Sequence, residues 1–347
     1  MRALDGRGCS ATVAGTANLA NGGRGLTAAL RKNGAIQTAL VDDSGRVVHL
    51  DDLVSIWVRR PQRPVAEHTA PHVRDFVETE WRLALEALPW TADALWVNDP
   101  RAERALERNK IAQLSLAEGA GLDVPETIYS SIALDVVAFA ERFETVAVKT
   151  AAGYMRELAD GFEFAYTQRL TAAELAREDD AITAAPILVQ EYVEKAFEVR
   201  ATIVGEAIFA TRIDSQASDR TMVDWRRYDF AAVGHSCHEL PESVAHALHQ
   251  FMADANLQFA AVDLIVTPDG RYVFLEANPS GQWLWLEALT GAPITSALAK
   301  LLTHEAISAQ PARARKNPYS AGVEVELAGL EAATSSACGP GAPPTEL

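Results

Sequence analysis

The stretch FLEANPSGQWLWLE, Phe274–Glu287, decides how the rest of the chain is read. Phe-Leu-Glu-Ala has the character of a strand, and Asn-Pro-Ser-Gly is a turn that stops it. Side chains alternate across a strand, so Glu276 and Asn278 stand on one side. Just upstream, AAVDLIV (260–266) and RYVFLEA (271–277) flank TPDG, a hairpin signal. With Asp269–Gly270 as the loop, Asp263 falls opposite Glu276; with Pro268–Asp269, it falls diagonally across. Either register puts Asp263, Glu276 and Asn278 on one face, within about 5–8 Å. Two carboxylates and an amide oxygen make a hard-oxygen site suited to Mg²⁺ that keeps its other positions for water and phosphate. Taken alone, a solvated polar face explains the three residues equally well.

The 347 residues, 48% hydrophobic and 22% charged, suffice for one large enzyme or two to three subdomains. A net charge of −16 argues against a duplex nucleic-acid partner. No apolar run is long enough to span a membrane, and MRALDGRGCSATVAG does not read as a secretion signal. Cys9, Cys237 and Cys338 are scattered and odd in number, which fits a reducing cytoplasm without a disulfide framework. HSCH (235–238) lacks the second ligand cluster that a metal centre needs.

Along the chain, SIWVRRP (55–61) and ALWVNDP (94–100) read as strands, and 72–88 as an amphipathic helix. A helix is expected over about 100–120, stopped by Gly121. DVPETIYS is strand-like, 134–143 a helix, TVAVKTAAG (145–153) a strand running into small residues, and 186–214 two or three strands. Helices are expected at 241–256 and roughly 281–304. Mixed runs of strands and helices indicate the α+β class with mixed or antiparallel sheets.

Lys149 ends the apolar strand TVAVK ahead of Thr-Ala-Ala-Gly, where a lysine reaches a phosphate and small residues admit backbone N–H groups. Lys110 lies on the preceding helix. In VQEYVEKAFEVR, strand backbone is available to a flat base, with Glu191 and Glu198 spaced for an amino group and a ribose. Singly, each lysine is better read as an ordinary surface lysine, and the VQEYVEKAFEVR segment can be read as a charged edge strand.

In order and approximate spacing, Lys110, Lys149, Gln190–Val193, Glu198 with Arg200, and Asp263…Glu276-Ala-Asn278 resemble the ATP-grasp ligases. That resemblance implies an α+β ATP-grasp fold with ATP and Mg²⁺, two ions, as cofactors. Lys110 and Lys149 would bind phosphates. Glu191 and the backbone of Gln190, Tyr192 and Val193 would hold adenine, Glu198 the ribose, and Arg200 a phosphate. Asp263, Glu276 and Asn278 would carry the metal. WVRRP, WVNDP, QLSLAEGAGLDVPET, QEYVEKAFEVRATIVG, DWRRYD and FLEANPSGQWLWLE together resemble the ATP-grasp peptide maturases that make graspetides (microviridin-type peptides), over roughly residues 45–305. In that family an Asp or Glu side chain of a ribosomal precursor peptide is phosphorylated, and a Ser/Thr hydroxyl or Lys amine of the same peptide closes an ester or amide ring. The implied partner is a leader-bearing precursor; a homodimer is compatible with this reading.

Arg212 is the first choice for gripping the acceptor carboxylate, ahead of Arg226 and Arg227, because a guanidinium fork matches a carboxylate. Asp214 is a candidate acceptor for the nucleophile's proton. Arg212, Arg200 and Lys149 are thus the expected catalytic group. The expected division is a pre-ATP-grasp region at 1–98, a lid or central subdomain at 99–187, a C-terminal catalytic subdomain at 188–308 and a disordered tail at 309–347. The first 45 residues lack the strand–helix unit with which the family usually begins, so the start reads as short or truncated. Two other functions compete: a ligase joining a free amino acid to a peptide or protein terminus, and a non-catalytic nucleotide-binding regulator or scaffold.

Overall fold

The computed structural model describes residues 4, 9–17, 19–21, 25–59, 61–92, 94–107, 109–150, 155–158 and 161–303, with backbone alone for 155–158 and 161–164. The expected tail (309–347), Cys338 and the small residues 151–153 lie outside the described residues.

Near the N-terminus β1 (Leu26–Leu30), β2 (Ile36–Val41) and β3 (Val47–His49) form an antiparallel meander. Strands β4 (Ser55–Trp57) and β5 (Leu95–Val97) pair in parallel and are joined through helix α1 (Pro71–Ala87). Pro71 starts that helix, where its fixed φ and missing N–H cost nothing. Asn98, read from the sequence as a strand stop, is a buried cross-link. Its amide donates to the carbonyls of Phe259 (2.8 Å) and Pro279 (3.0 Å), and its oxygen accepts from the N–H groups of Gln258 and Phe259. The unit is thereby pinned to the sheet that carries Asp263 and Glu276.

The single helix expected over 100–120 is two helices, α2 (Pro100–Glu107) and α3 (Lys110–Gly119). The reason is Asn109, whose side chain caps α3 by accepting from Ala112 N–H at 3.1 Å. Lys110 therefore opens a helix instead of lying in its middle. Gly121 ends the region at φ 92°, as the stop requires.

Next come β6 (Thr127–Ser130), α4 (Ala133–Ala140), β7 (Val146–Lys149), the hairpin β8 (Met155–Leu158) and β9 (Gly161–Phe164), β10 (Gln168–Leu170), α5 (Ala172–Leu175), α6 (Asp179–Ala184) and β11 (Ile187–Glu191). Four of these strands form an antiparallel sheet in the order β10-β7-β11-β6. Val136, Phe139, Ala140, Leu175 and Ile182 from the helices bury against Val146 and Val189 from the strands. β11 is interior, so the charged edge strand considered for QEYV is not what forms.

The last sheet is antiparallel, in the order β14-β13-β12-β15-β16. Its strands are β12 (Phe197–Val204), β13 (Ala207–Ile213), β14 (His235–His238), β15 (Phe259–Val266) and β16 (Tyr272–Asn278). Helix α7 (Glu242–Asp254) covers one face: its Ala247, Leu248, Phe251 and Met252 join Val199, Ala201, Val262, Leu264 and Phe274 in the main core. Phe251 and Phe274 meet at 5.2 Å between centroids; truncating Phe251 to Ala would cost about 3–5 kcal/mol. Alternation sends Glu198, Arg200 and Asp263 to the opposite face. The helical stretch at 281–304 is α8 (Leu284–Thr290) and α9 (Ile294–Leu302), separated at Gly291 (φ 73°) and Pro293.

Candidate functional site

A cleft lies between the four-stranded and five-stranded sheets, walled by Lys149, Thr167, Gln190–Val193, Lys195, Glu198, Asp224–Arg226, Asp263 and Glu276 among others. Its acidic wall has the pairing expected for an Asp269–Gly270 loop, Asp263 opposite Glu276, but reaches it through a different loop and a bulge. The hairpin closes with a three-residue loop: Thr267 N–H bonds Arg271 C=O, and Gly270 takes φ 87°. A bulge beyond it pairs Leu264 with Phe274 but Asp263 with Glu276. The extra residue, Leu275, also reaches the cleft. Asn278 follows opposite Ala261.

Each acid meets a cation. Arg200, directly across from Asp263 on β12, donates Nη1 to both its oxygens at 2.8 and 2.9 Å. Lys110 Nζ lies 2.7 Å from Glu276 Oε2, and Asn278 donates to Oε1 at 3.1 Å. Burial pushes Asp263 up to about 6, Arg200 only partly opposing it while the Glu276 charge adds to it. Burial also resists charge on Glu276, but Lys110, Arg226 and the bond from Asn278 win, holding it well below the usual carboxylate range. Arg200 Nε is buried without a partner among the described residues. The Asn-Pro-Ser-Gly turn closes tightly over this group: a Cβ on Gly281 would fall 2.4 Å from Ala261 Cβ and 3.2 Å from Arg200 Nη2.

The donor set suits Mg²⁺. It consists of hard oxygens on one face, and two neighbouring carboxylates repel each other until a cation joins them. With only two carboxylates and an amide, most positions would be left to phosphate and water. Among the described residues there is no cluster of three His, Cys, Asp or Glu side chains that could hold a metal. HSCH forms β14, where His238 Nε2 lies 2.7 Å from the Tyr272 hydroxyl and Cys237 is exposed.

On the opposite wall Lys149 Nζ donates to Gln190 Oε1 at 2.8 Å, and Gln190 donates to Thr127 Oγ1. Burial brings Lys149 down to about 8, although Glu276 attracts its charge. Glu191, Tyr192 and Val193 line the same wall where β11 ends. Glu198 is buried, and burial raises its carboxyl against the pull of Lys195, whose Nζ lies 2.6 Å away and also reaches the Val223 carbonyl.

Arg212 does not face this cleft, contrary to expectation. It pairs with Val199, whose side chain belongs to the core under α7, so it stands on the sheet's other face. There it covers the Phe197 ring at 3.9 Å and binds Asp214 at 2.7 Å. Arg226 occupies the cleft instead. Asp224 orients it through Oδ1 to Nε (2.9 Å) and Oδ2 to Nη2 (2.6 Å), and also accepts from Thr167 N–H at 3.0 Å. These bonds and the Arg226 charge outweigh burial and hold Asp224 at about 2. Arg227 turns to the Tyr166 ring, 5.1 Å away. Lys195, Asp224, Thr167 and Trp225 were missed by the sequence reading. The Lys-x-x-Glu spacing of Lys195–Glu198 and the Asp-x-Arg spacing of Asp224–Arg226 were the available signals.

No family model and no curated protein matches the chain. Solved structures do. A RiPP-associated ATP-grasp ligase of Chryseobacterium gregarium, in complex with ADP and a leader and core peptide, matches with a TM-score of 0.78 at 24% identity, over 88% of this chain and 91% of that one. Macrocyclase MdnC of Microcystis aeruginosa MRC, bound with precursor peptide MdnA, gives 0.73 at 25% identity, over 87% and 94%. Macrocyclase MdnB of the same organism gives 0.69 at 26%, over 87% and 92%. With the cleft between two antiparallel sheets and its acidic hairpin in place, the chain has the fold of the ATP-grasp ligases and is similar over most of its length to these ribosomal-peptide macrocyclases.

Proposed function

We propose that the protein uses ATP to activate Asp or Glu side chains of a ribosomal precursor peptide and closes ester or amide rings within that peptide. The observation that carries this is one cleft joining Lys149, the Gln190–Val193 wall and Glu198 to Asp263, Glu276 and Arg226. The three regions 1–98, 99–187 and 188–308 would act as separate units around it. Asp263, Glu276 and Asn278 would hold Mg²⁺, which supplies charge neutralisation on the phosphates. Lys149 and Lys110 would add positive charge at the transferring phosphoryl group. Glu191 and the adjoining backbone would hold adenine, Glu198 a ribose hydroxyl, and Arg200 a phosphate oxygen.

Arg226 would seat the acceptor carboxylate in line with the γ-phosphate. A carboxylate oxygen attacks that phosphorus, the bond to the β–γ bridging oxygen breaks and ADP leaves. The acyl phosphate so formed is attacked at its carbonyl by a hydroxyl or amine of the same peptide. Phosphate departs and takes up the nucleophile's proton. The leader and core peptide bound by the Chryseobacterium ligase and the precursor peptide bound by MdnC support a peptide substrate. Two further assignments are ours. The cytoplasm is supported by the exposed thiol of Cys237, and a homodimer by α1, in whose 17 residues none is buried. The decisive experiment is co-expression with a candidate precursor peptide, followed by mass measurement. Each ring removes one water; an unchanged peptide mass together with peptide-independent ATP hydrolysis would refute the proposal.

A further inference from the structure

Trp225 lines the cleft, but its ring does not end there. It stacks on Trp285 with centroids 5.5 Å apart, and Tyr228 meets it edge-on at 5.7 Å. Tyr228 stacks in turn on Phe230 at 5.2 Å, and His235 closes against Trp285 at 5.5 Å. The series runs outward: Trp225 is 7% exposed, Tyr228 43% and Phe230 57%. Apolar rings that could be buried are instead spread over the surface, the kind of patch that marks a binding face. The backbone is strained to build it, since Tyr228 has φ 39° without being glycine.

The shelf is continuous with the reacting end of the cleft. Arg226, oriented by Asp224, directly follows Trp225 in one short helical turn, Trp225–Arg227. Arg200 lies over the Trp225 ring at 5.4 Å while holding Asp263. The Tyr228 hydroxyl, raised by burial, also feels the charges of Arg200, Asp263 and Arg226. A chain whose carboxylate meets Arg226 would pass close to Trp225 and Tyr228, from which the rings lead on to Phe230.

We propose that this aromatic shelf is a specificity site for the peptide, selecting an acceptor Asp or Glu flanked by an apolar or aromatic residue. The proposal rests on the peptide-ligase reading and narrows its substrate class. Its occupant is the substrate peptide itself. A second copy of this chain over Phe230 is the competing outcome.

The test uses the full chain with an ATP analogue and Mg²⁺, and two short acidic peptides that differ only in Phe or Ser beside the acceptor Asp. Tryptophan fluorescence reads binding, because Trp225 and Trp285 form the shelf. The Phe peptide should bind at least tenfold more tightly to the wild type. That preference should vanish in Phe230→Ser and persist in Phe230→Leu, which keeps an apolar surface. Equal affinities in the wild type, or a preference surviving Phe230→Ser, would overturn the shelf. So would a dimer in the wild type that Phe230→Ser dissociates, as the rings would then be covered by the second copy. Ring formation by mass is followed in parallel. Rings without peptide discrimination would remove the shelf and leave the ligase; discrimination without rings on any peptide would remove the ligase reading instead.

Discussion

Replacing Lys149 with Met separates the lysine's charge from its size. Lys149 sits where β7 reaches the cleft, and burial brings its ammonium from 10.5 down to about 8 despite the attraction of Glu276. Keeping it charged at neutral pH therefore costs up to ~3 kcal/mol, an upper bound because the side chain retains some solvent contact. Methionine removes that cost at nearly the same length. It also strips the buried Gln190 of a donor at 2.8 Å, which costs about 1–2 kcal/mol. The variant should be more stable than the wild type at pH 7 by ~1–2 kcal/mol. The sign follows from the depressed value. Below about pH 8 the lysine is charged in both states and the folded state bears the full penalty. Between about 8 and 10.5 the folded state loses its proton first and the penalty disappears. The stability gap should close over that range and reverse near its top, leaving only the lost hydrogen bond. Urea unfolding at pH 7 and pH 10 measures this, and repeating it with Mg²⁺ and ATP should stabilise the wild type far more than the variant. A variant less stable by the same amount at both pH values would show that Lys149 is an ordinary solvated lysine, and the phosphate role would fall with it.

Glu276→Gln should lower turnover by roughly 100- to 1,000-fold and also lower the melting temperature, because the carboxylate that Lys110 and Arg226 hold charged is lost; retained activity would take Glu276 out of the reaction. Arg226→Lys should abolish ring formation while ATP binding stays within a few-fold, since a point charge replaces a fork; calorimetry and mass measurement on one variant decide. Arg212→Ala should leave ring formation near wild type, given its place on the sheet's other face; complete loss would show that the side chain reaches the cleft after all. Lys195→Met strands the buried Glu198 and should cost about 3–5 kcal/mol, partly restored by adding Glu198→Gln; equal stability of the single and double variants, measured by denaturant unfolding, would count against the pair.

The strand and helix types over 127–149, 187–213 and 242–302, and the shared face of Asp263, Glu276 and Asn278, were determined by sequence alone. Apolar alternation and the side chain's two-residue period are local properties, and they survive any choice of tertiary packing. The two-residue turn at Gly205–Glu206 even held the key to Arg212. With Val204 paired to Ala207, Glu198 falls opposite Ile213 and Arg200 opposite Thr211, which turns Arg212 away from the cleft. What only the tertiary structure decided were contacts without a local period. The bulge at Leu275 answers to the packing of β15 against β16, and no loop length predicts it. Asn98 reaches its partners some 160 to 181 positions away. Asp224 caps, and Arg226 sits in, an isolated short turn, Trp225–Arg227, whose direction is set by Thr167 and by the walls of the cleft. Lys195 looked like one more charge beyond a strand until folding buried it between Glu198 and the Val223 carbonyl. Burial is a property of the assembled chain, and it is burial that sets how strongly each of these charges binds its neighbour.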